Sequence, residues 1–189
     1  MDKDLSKAVI KVFVDLYNNK LIYKDKKLVN WDTKLQTAIS DLEVIQKEVQ
    51  SQLYYIDYAI ENSDQKITIA TTRPETMMGD TAVAVNPKDK RYIDLIGKKV
   101  IVPIVNRTVK IISDHYADPD QGSGAVKITP AHDFNDYEVG KRNKLEIINI
   151  FEKNGKINKN GIKEFYGLDR FEARKLLISK LKEKGNLIK

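Results

Sequence analysis

Apolar and polar residues alternate along this chain in two rhythms, and the switch between them marks out its elements. Near the start, Ala8, Val9, Val12, Phe13 and Leu16 recur at helical spacing and Asn18-Asn19 supply a stop, which predicts an amphipathic helix. Two short apolar runs, 21–23 and 28–31, flank the polar stretch Lys24-Asp25-Lys26-Lys27 and read as a hairpin. From Ser51 to Ile112 the rhythm becomes that of strands, expected over 53–58, 66–70, 81–85, 100–105 and 109–112. Two more are expected over 125–129 and 145–151, followed by Asn154-Gly155, whose tolerance of positive φ suits a tight turn. So many short strands imply a closed or strongly curved, barrel-like sheet, and with the helices a mixed α/β (α+β) fold.

The chain finishes on a helix. Asp169 and Glu172 have the spacing of a capping box, and the pattern predicts a helix to about Lys184, stopped by Gly185. Phe171, Leu177 and Leu181 are its expected buried stripe, with Arg174, Lys175, Lys180, Lys182 and Lys184 facing out. Helices at both ends bracket a β-rich middle, the layout of an inserted domain carrying parts of its stem: residues 1–45 as an N-terminal stem of helix and hairpin, 46–165 as the core, and 166–189 as a basic C-terminal stem helix.

Composition narrows the function classes. With 189 residues, 41% hydrophobic and 32% charged, the chain has the make-up of a soluble globular domain. No apolar run approaches the roughly 18 residues of a membrane span, and the start MDKDLSK lacks a signal-peptide core, so a cytoplasmic location without membrane contact is expected. The absence of cysteine excludes disulfides, thiolate nucleophiles and cysteine-held zinc. The net charge of +6 sits in the tail: from Glu152 onward there are 11 Lys and Arg against 5 Asp and Glu, and before it 22 against 22. Such a segment suits a polyanion such as RNA, and equally a solvated helix face.

Two segments carry candidate chemistry. The first, Thr71 to Asp80 (TTRPETMMGD), lies between two expected strands. Thr72 and Glu75 have capping-box spacing, and Pro74 and Gly79 suit the start and end of a very short helix. Free backbone N–H groups there, with the hydroxyls of Thr72 and Thr76 and the guanidinium of Arg73, offer a seat for an anionic or carbonyl oxygen, though ordinary capping explains the pattern equally well. The second is Gly122 to Gly140 (GSGAVKITPAHDFNDYEVG). Alternation puts Val126 and Ile128 on one face and Lys127 and Thr129 on the other, toward a groove or solvent. Pro130 ends the strand, and Asp133 can cap a helix with Asp136 on the same side. An ammonium, a hydroxyl and two carboxylates thus converge, unless the aspartates merely complement the helix dipole. His132 reads as a packed or hydrogen-bonded histidine. With only His115 beside it, and no i, i+4 pair, no metal is expected.

Together these segments resemble the editing insertion of class I aminoacyl-tRNA synthetases for branched aliphatic amino acids, and most closely that of the valine-specific members. The likeness rests on TTRPETMMGDTAVAVNP (71–87), GSGAVKITPAHDFNDYEVGKRN (122–143), YGLDRFEARK (166–175) and LIYKDKKLVNWDTKLQTAISDLEV (21–44), and so spans nearly the whole chain. Isoleucine-specific members typically carry a Trp-Thr pair at Glu75-Thr76 and a His at Lys127, and leucine-specific ones differ after Thr76. The ATP-binding signatures of the synthetic site are missing, so amino-acid activation is not expected.

The resemblance implies a β-barrel-like editing domain that hydrolyses threonine from mischarged tRNA(Val). A hydrophobic pocket built for valine rejects threonine only ~10²-fold, the established figure for valine-specific synthetases, so a second site must test for the hydroxyl. Lys127, Thr129 and Asp133 are the candidate readers of that hydroxyl, and Asp136, Lys127 and Asp133 the candidate catalytic residues. The resemblance also implies Asp136 as the carboxylate holding the α-ammonium, and Arg73 and Thr76 as the wall facing the terminal adenosine or the aminoacyl group; Thr72 and His132, with Thr129, are further expected substrate-binding residues. No cofactor and no metal are implied. The partners are the threonine-bearing 3′ end of tRNA(Val) and the remainder of the synthetase, the isolated domain being monomeric. Some members carry an aromatic residue where Gln121 stands, which bears on adenine stacking. A non-catalytic tRNA-binding module with a vestigial pocket is the alternative from another class.

Overall fold

A computed structural model describes residues 2–189; Met1, the first residue of the expected stem, lies outside them. Helix α1 (Lys3–Asn18) forms as expected, with the Asp2 carboxylate accepting from the N–H groups of Asp4 and Leu5. It buries nothing: Leu5, Val9, Val12 and Phe13 are all more than half exposed.

The hairpin falls elsewhere than the sequence suggested. Strands β1 (Asn30–Asp32) and β2 (Thr37–Ile39) pair antiparallel, while residues 21–29 form no strand. Turn chemistry decides the matter. Asp32 Oδ1 accepts from the N–H groups of Lys34 and Leu35, and Gln36 takes φ +54°, which closes a tight turn, whereas Asp25 accepts only from the adjacent Lys26 N–H. The hairpin is moored by the Trp31 indole, which donates to the Lys153 carbonyl at 2.8 Å.

The main sheet comprises β3 (Tyr54–Ile60), β4 (Lys66–Thr71), β5 (Ala82–Val85), β6 (Lys99–Ile101), β7 (Thr108–Ser113) and β8 (Ala125–Ile128) in the order β4-β3-β6-β7-β5-β8. Every pairing is antiparallel except β5 with β7. The two outer strands curl toward each other, so the sheet is a nearly closed barrel. Their approach depends on Gly122: a Cβ there would stand 2.8 Å from that of Ala70, and φ is +59°.

The alternation seen in the sequence is the barrel's filling. Ile56, Tyr58 and Ile60 on β3 and Ile67 and Ile69 on β4 are buried in the main core, which also takes in Met77, Met78 and Val83. A smaller cluster of Ala82, Ala84, Ile128 and Val139 seals the other face of β5 and β8 beneath α2 (Phe134–Arg142).

Residues 145–151 do not form the expected strand. Their backbone is satisfied by side chains and loops instead: Ile150 N–H donates to His132 Nε2, and the Asn149 carbonyl accepts from Asn158 and Asn160. The Asn154-Gly155 turn is present, with Gly155 at φ +78° and a lone bridge between Phe151 and Ile157. Helix α3 (Arg170–Glu183) is capped by Asp169 and followed by Gly185 at φ +67°. Its buried stripe is Ala173, Leu177 and Leu181; Phe171 is 52% exposed, because two residues before Ala173 is roughly the opposite side of a helix. Among the described residues no helix is long and apolar enough to cross a membrane.

Candidate active site

Two strand-to-helix junctions meet at one end of the barrel. From β4 the chain passes Thr72 and Arg73 into a 3₁₀ helix, Pro74–Gly79, whose residues are all buried. The expected Thr72–Glu75 capping box does not form. Arg73 occupies the cap position without a side-chain cap bond, and Glu75 points to α3, where Arg174 Nε and Nη2 grip its carboxylate at 2.7 and 2.6 Å. A bidentate charge-assisted pair is stronger than a single bond to a backbone N–H. Arg174, expected to face solvent, is therefore a partner of this junction.

From β8 the chain passes Thr129 and Pro130 into α2. Asp133 caps that helix as the sequence suggested, its Oδ1 accepting from the N–H groups of Asn135 and Asp136 at 2.8 and 3.2 Å. Strand alternation also holds, with Lys127 and Thr129 on the side away from Ile128; neither reaches solvent, at 6% and 1% exposure.

Burial of Lys127 requires a counter-charge, and Asp80 supplies it. Lys127 Nζ donates to Asp80 Oδ1 at 3.1 Å, to Thr76 Oγ1 at 2.7 Å and to Thr129 Oγ1, which uses all three of its N–H bonds. Asp80 in turn accepts from Thr129 Oγ1 at 2.7 Å and from the Tyr58 hydroxyl at 2.7 Å. Burial pushes the Asp80 carboxyl up from its ordinary value, while Lys127 and the two hydroxyls pull the other way. The Tyr58 hydroxyl is held well above its usual range by burial and by Asp80.

Neither Asp80 nor Tyr58 had a role in the sequence reading. A signal existed for Tyr58, since a tyrosine in line with Ile56 and Ile60 must find a buried hydrogen-bond partner.

Asp136 lies in the first turn of α2, with Oδ2 accepting from the Thr129 N–H at 2.8 Å. Burial raises its carboxyl to about 6 against the pull of Lys127 and that N–H. Its Oδ1, and Oδ2 of Asp133, have no hydrogen-bond partner among the described residues. His132 is a packed histidine: Nε2 accepts from Ile150 N–H at 3.0 Å, and the ring meets that of Phe151 edge-on at 4.7 Å. Burial, with Arg73 and Lys127 nearby, holds it down at about 3, so it is neutral at physiological pH. Arg73 Nη1 donates to the His132 carbonyl at 2.7 Å and ties the two junctions together.

Thr72, Arg73, Thr76, Lys127, Thr129, His132, Asp133 and Asp136 all line one cleft of about 400 Å³, and Gln121 lines it too. Between Thr76 and Asp136 its unused capacity is for accepting hydrogen bonds, through carboxylate oxygens on Asp133 and Asp136 and a lone pair each on Thr76 and Thr129, while the Arg73 guanidinium keeps spare N–H donors. That suits a ligand bearing an ammonium and a hydroxyl.

Comparison with known proteins places this geometry in context. Residues 1–180 match the family model described as tRNA synthetases class I (I, L, M and V). The chain is 68% identical over its whole length to a valine--tRNA ligase of Pelagibacter ubique, and 56% identical to one of Lactococcus lactis. It spans about a fifth of the length of these relatives, 22% and 21%. Among solved structures, the LeuRS-tRNA-LeuAMS ternary complex of Agrobacterium radiobacter K84 superposes at a TM-score of 0.58 and 22% identity, covering 94% of this chain and 31% of that one. The crystal structure of GlLeuRS-CP1 does so at 0.58 and 14%, covering 73% of this chain and 98% of that one. Both likenesses are of fold.

Proposed function

The chain belongs to the class I tRNA synthetases (I, L, M and V), and from that premise we propose that it is the editing domain of a valine-specific member, a hydrolase that removes threonine from mischarged tRNA(Val). The observation that carries the reading is the cleft itself, where acceptors for an ammonium and a hydroxyl stand within one volume of about 400 Å³. The fold likeness to GlLeuRS-CP1 and the identity to valine--tRNA ligases support it.

In this reading Asp136 holds the α-ammonium of the aminoacyl group through its free carboxylate oxygen, a charge-assisted contact that orients the ester. Threonine's side-chain hydroxyl donates its one hydrogen to the free Asp133 carboxylate oxygen. Valine brings a methyl group instead and leaves that acceptor unpaired at ~1–3 kcal/mol. Lys127 acts at one remove. Its N–H bonds are committed, so it fixes the hydroxyls of Thr76 and Thr129 with a lone pair of each available. Arg73 and Thr72, at the mouth, face the terminal adenosine, and His132 holds Arg73 through its carbonyl. An aminoacyl ester is already labile, so water attack needs positioning and oxyanion stabilisation rather than a covalent nucleophile. The partners are the 3′ end of tRNA(Val) and the remainder of a synthetase, in the cytoplasm; residues 46–165 form the editing core, with 1–45 and 166–189 as stem.

The test is incubation with threonyl-tRNA(Val) and valyl-tRNA(Val), reading free amino acid. Threonine release that greatly outpaces valine release, and that Asp136→Ala abolishes, is expected. No release above the solvent rate would favour a non-catalytic tRNA-binding module. Release of valine as fast as threonine would sink the valine-type assignment.

A further inference from the structure

The 3₁₀ helix that delivers Thr76 and Asp80 to the cleft is held by a guanidinium at each end. At its start Arg174 grips the Glu75 carboxylate. At its finish stands Arg107, from the loop between β6 and β7. Its Nη2 donates to the Met78 carbonyl at 2.9 Å and to the Asp80 carbonyl at 2.7 Å, and its Nε donates to the latter at 3.2 Å. The last carbonyls of a helix lack partners within it and form its negative end, so a cation bearing several donors is well matched to them. The helix has little slack between these clamps: a Cβ on Gly79 would stand 2.9 Å from the Ile148 carbonyl oxygen and 3.1 Å from Thr129 Cγ2.

The loop that presents Arg107 is strained. Ile104 takes φ +66° and Asn106 φ +56°. Positive φ suits asparagine, but in a β-branched residue it is an outlier, which persists only where the surroundings over-determine it and which clusters at sites with a task. The loop is pinned by its own hydrogen bonds, from Asn106 N–H to the Val102 carbonyl at 2.9 Å and from Val102 N–H to the Arg107 carbonyl at 2.8 Å. Joining β6 to β7 does not require a left-handed isoleucine, since hairpin turns place glycine or asparagine at such positions. Placing the Arg107 guanidinium under the helix end accounts for it.

What that guanidinium fixes matters because of Asp80. Its carboxylate is fully buried and takes hydrogen bonds from Lys127, Thr129 and Tyr58, and the Thr129 N–H in turn holds Asp136. The Arg107 charge also reaches the Tyr58 hydroxyl and draws it down against burial.

We propose that Arg107 is a positioning residue of the cleft: by clasping the Met78 and Asp80 carbonyls it sets where the Asp80 carboxylate meets Lys127 and Thr129, and through the Thr129 N–H it sets where Asp136 stands. The inference rests on the editing reading for the reaction it serves.

The test compares the parent with Arg107→Ala, Arg107→Lys and Ile67→Val, the last a core change at the end of β4 far from the cleft. Each is assayed at a temperature where thermal unfolding shows it folded. Arg107→Ala is expected to lower kcat for threonyl-tRNA(Val) on the order of tenfold, with KM within about twofold. Arg107→Lys recovers less than about half of the lost rate, because a point charge does not reproduce the planar fork. Added methylguanidine raises kcat of Arg107→Ala and leaves the parent unchanged. A cap that served stability alone would lower Tm, as Ile67→Val does, and leave kcat where it was. Parental kcat in Arg107→Ala, an equal loss in Ile67→Val, or no response to methylguanidine would overturn the assignment. A second readout needs no hydrolysis: in backbone amide NMR of the free protein, Arg107→Ala is expected to displace the Thr129 and Asp136 signals, and an unmoved Thr129 would overturn the assignment whatever the rate. The two readings fail separately. A parent that does not hydrolyse, with Thr129 displaced in the variant, would sink the deacylase and keep the clamp, and a hydrolysing parent matched by Arg107→Ala in rate and in Thr129 signal would do the reverse.

Discussion

Replacing Lys127 by methionine keeps the length and flexibility of the side chain and removes only its charge and donors. Asp80, fully buried, then loses its counter-ion and keeps only the Thr129 and Tyr58 hydroxyls. Removing one partner of a buried ion pair costs ~3–5 kcal/mol. For a domain of this size that lowers Tm by roughly 10 °C at pH 7. The loss is pH-dependent, with a definite sign. Burial already holds the Asp80 carboxyl above its ordinary value of 3.8, and without Lys127 it rises further. A folded-state value above the unfolded one favours the fold at low pH, and this advantage disappears as pH climbs through the folded value. The variant's deficit should thus be largest at neutral pH and shrink by more than half on acidification to pH 4. Adding Asp80→Asn removes the orphaned charge and should recover most of the deficit at pH 7. Thermal unfolding followed by circular dichroism across pH reads all of this. A variant within about 2 °C of the parent at every pH would refute the buried pair and return Lys127 to the open cleft.

Four further outcomes rest on the same geometry. Asp136 is raised from 3.8 to about 6, so its contribution to folding is favourable below pH 4 and is lost as pH rises through 6; Asp136→Asn should stabilise the fold at pH 8, by up to ~3 kcal/mol, and be neutral below pH 4. Because the ammonium needs the carboxylate form, the parent's kcat/KM for threonyl-tRNA(Val) should rise with a midpoint near 6, and a profile flat from pH 5 to 8 would count against Asp136. His132, held at about 3, should show an unprotonated Nε2 by nitrogen NMR down to pH 4, and protonation near 6.5 would mean that the Ile150 bond is absent. Arg174→Met strips the buried Glu75 of its bidentate partner, leaving only Arg73 at 4.0 Å, and should cost ~3 kcal/mol in urea unfolding, mostly restored by adding Glu75→Gln; an exposed, unpaired Arg174 would show neither effect.

How much was legible beforehand depends on the range of the interactions. Period-two alternation put Val126 and Ile128 on one face and Lys127 and Thr129 on the other, because side-chain direction is local. Asp133 as a cap was legible for the same reason. The partners of the buried charges were not. Lys127 finds Asp80 47 positions away and Glu75 finds Arg174 99 positions away, distances at which periodicity carries no information. Turn chemistry misled once, when the charged run at 24–27 looked like a hairpin loop and the Asx turn at Asp32 passed unnoticed. Residues 145–151 looked like a strand because an extended apolar segment satisfied by asparagine and histidine side chains has the same composition as one satisfied by a ladder.

The most direct test of the cleft is titration with a non-hydrolysable, amide-linked threonyl-adenosine, followed by backbone amide NMR. The largest shifts are expected at Thr76, Thr129 and Asp136, with the valyl counterpart weaker by about tenfold or more. Shifts centred away from both junctions, or equal affinity for the two ligands, would contradict the account.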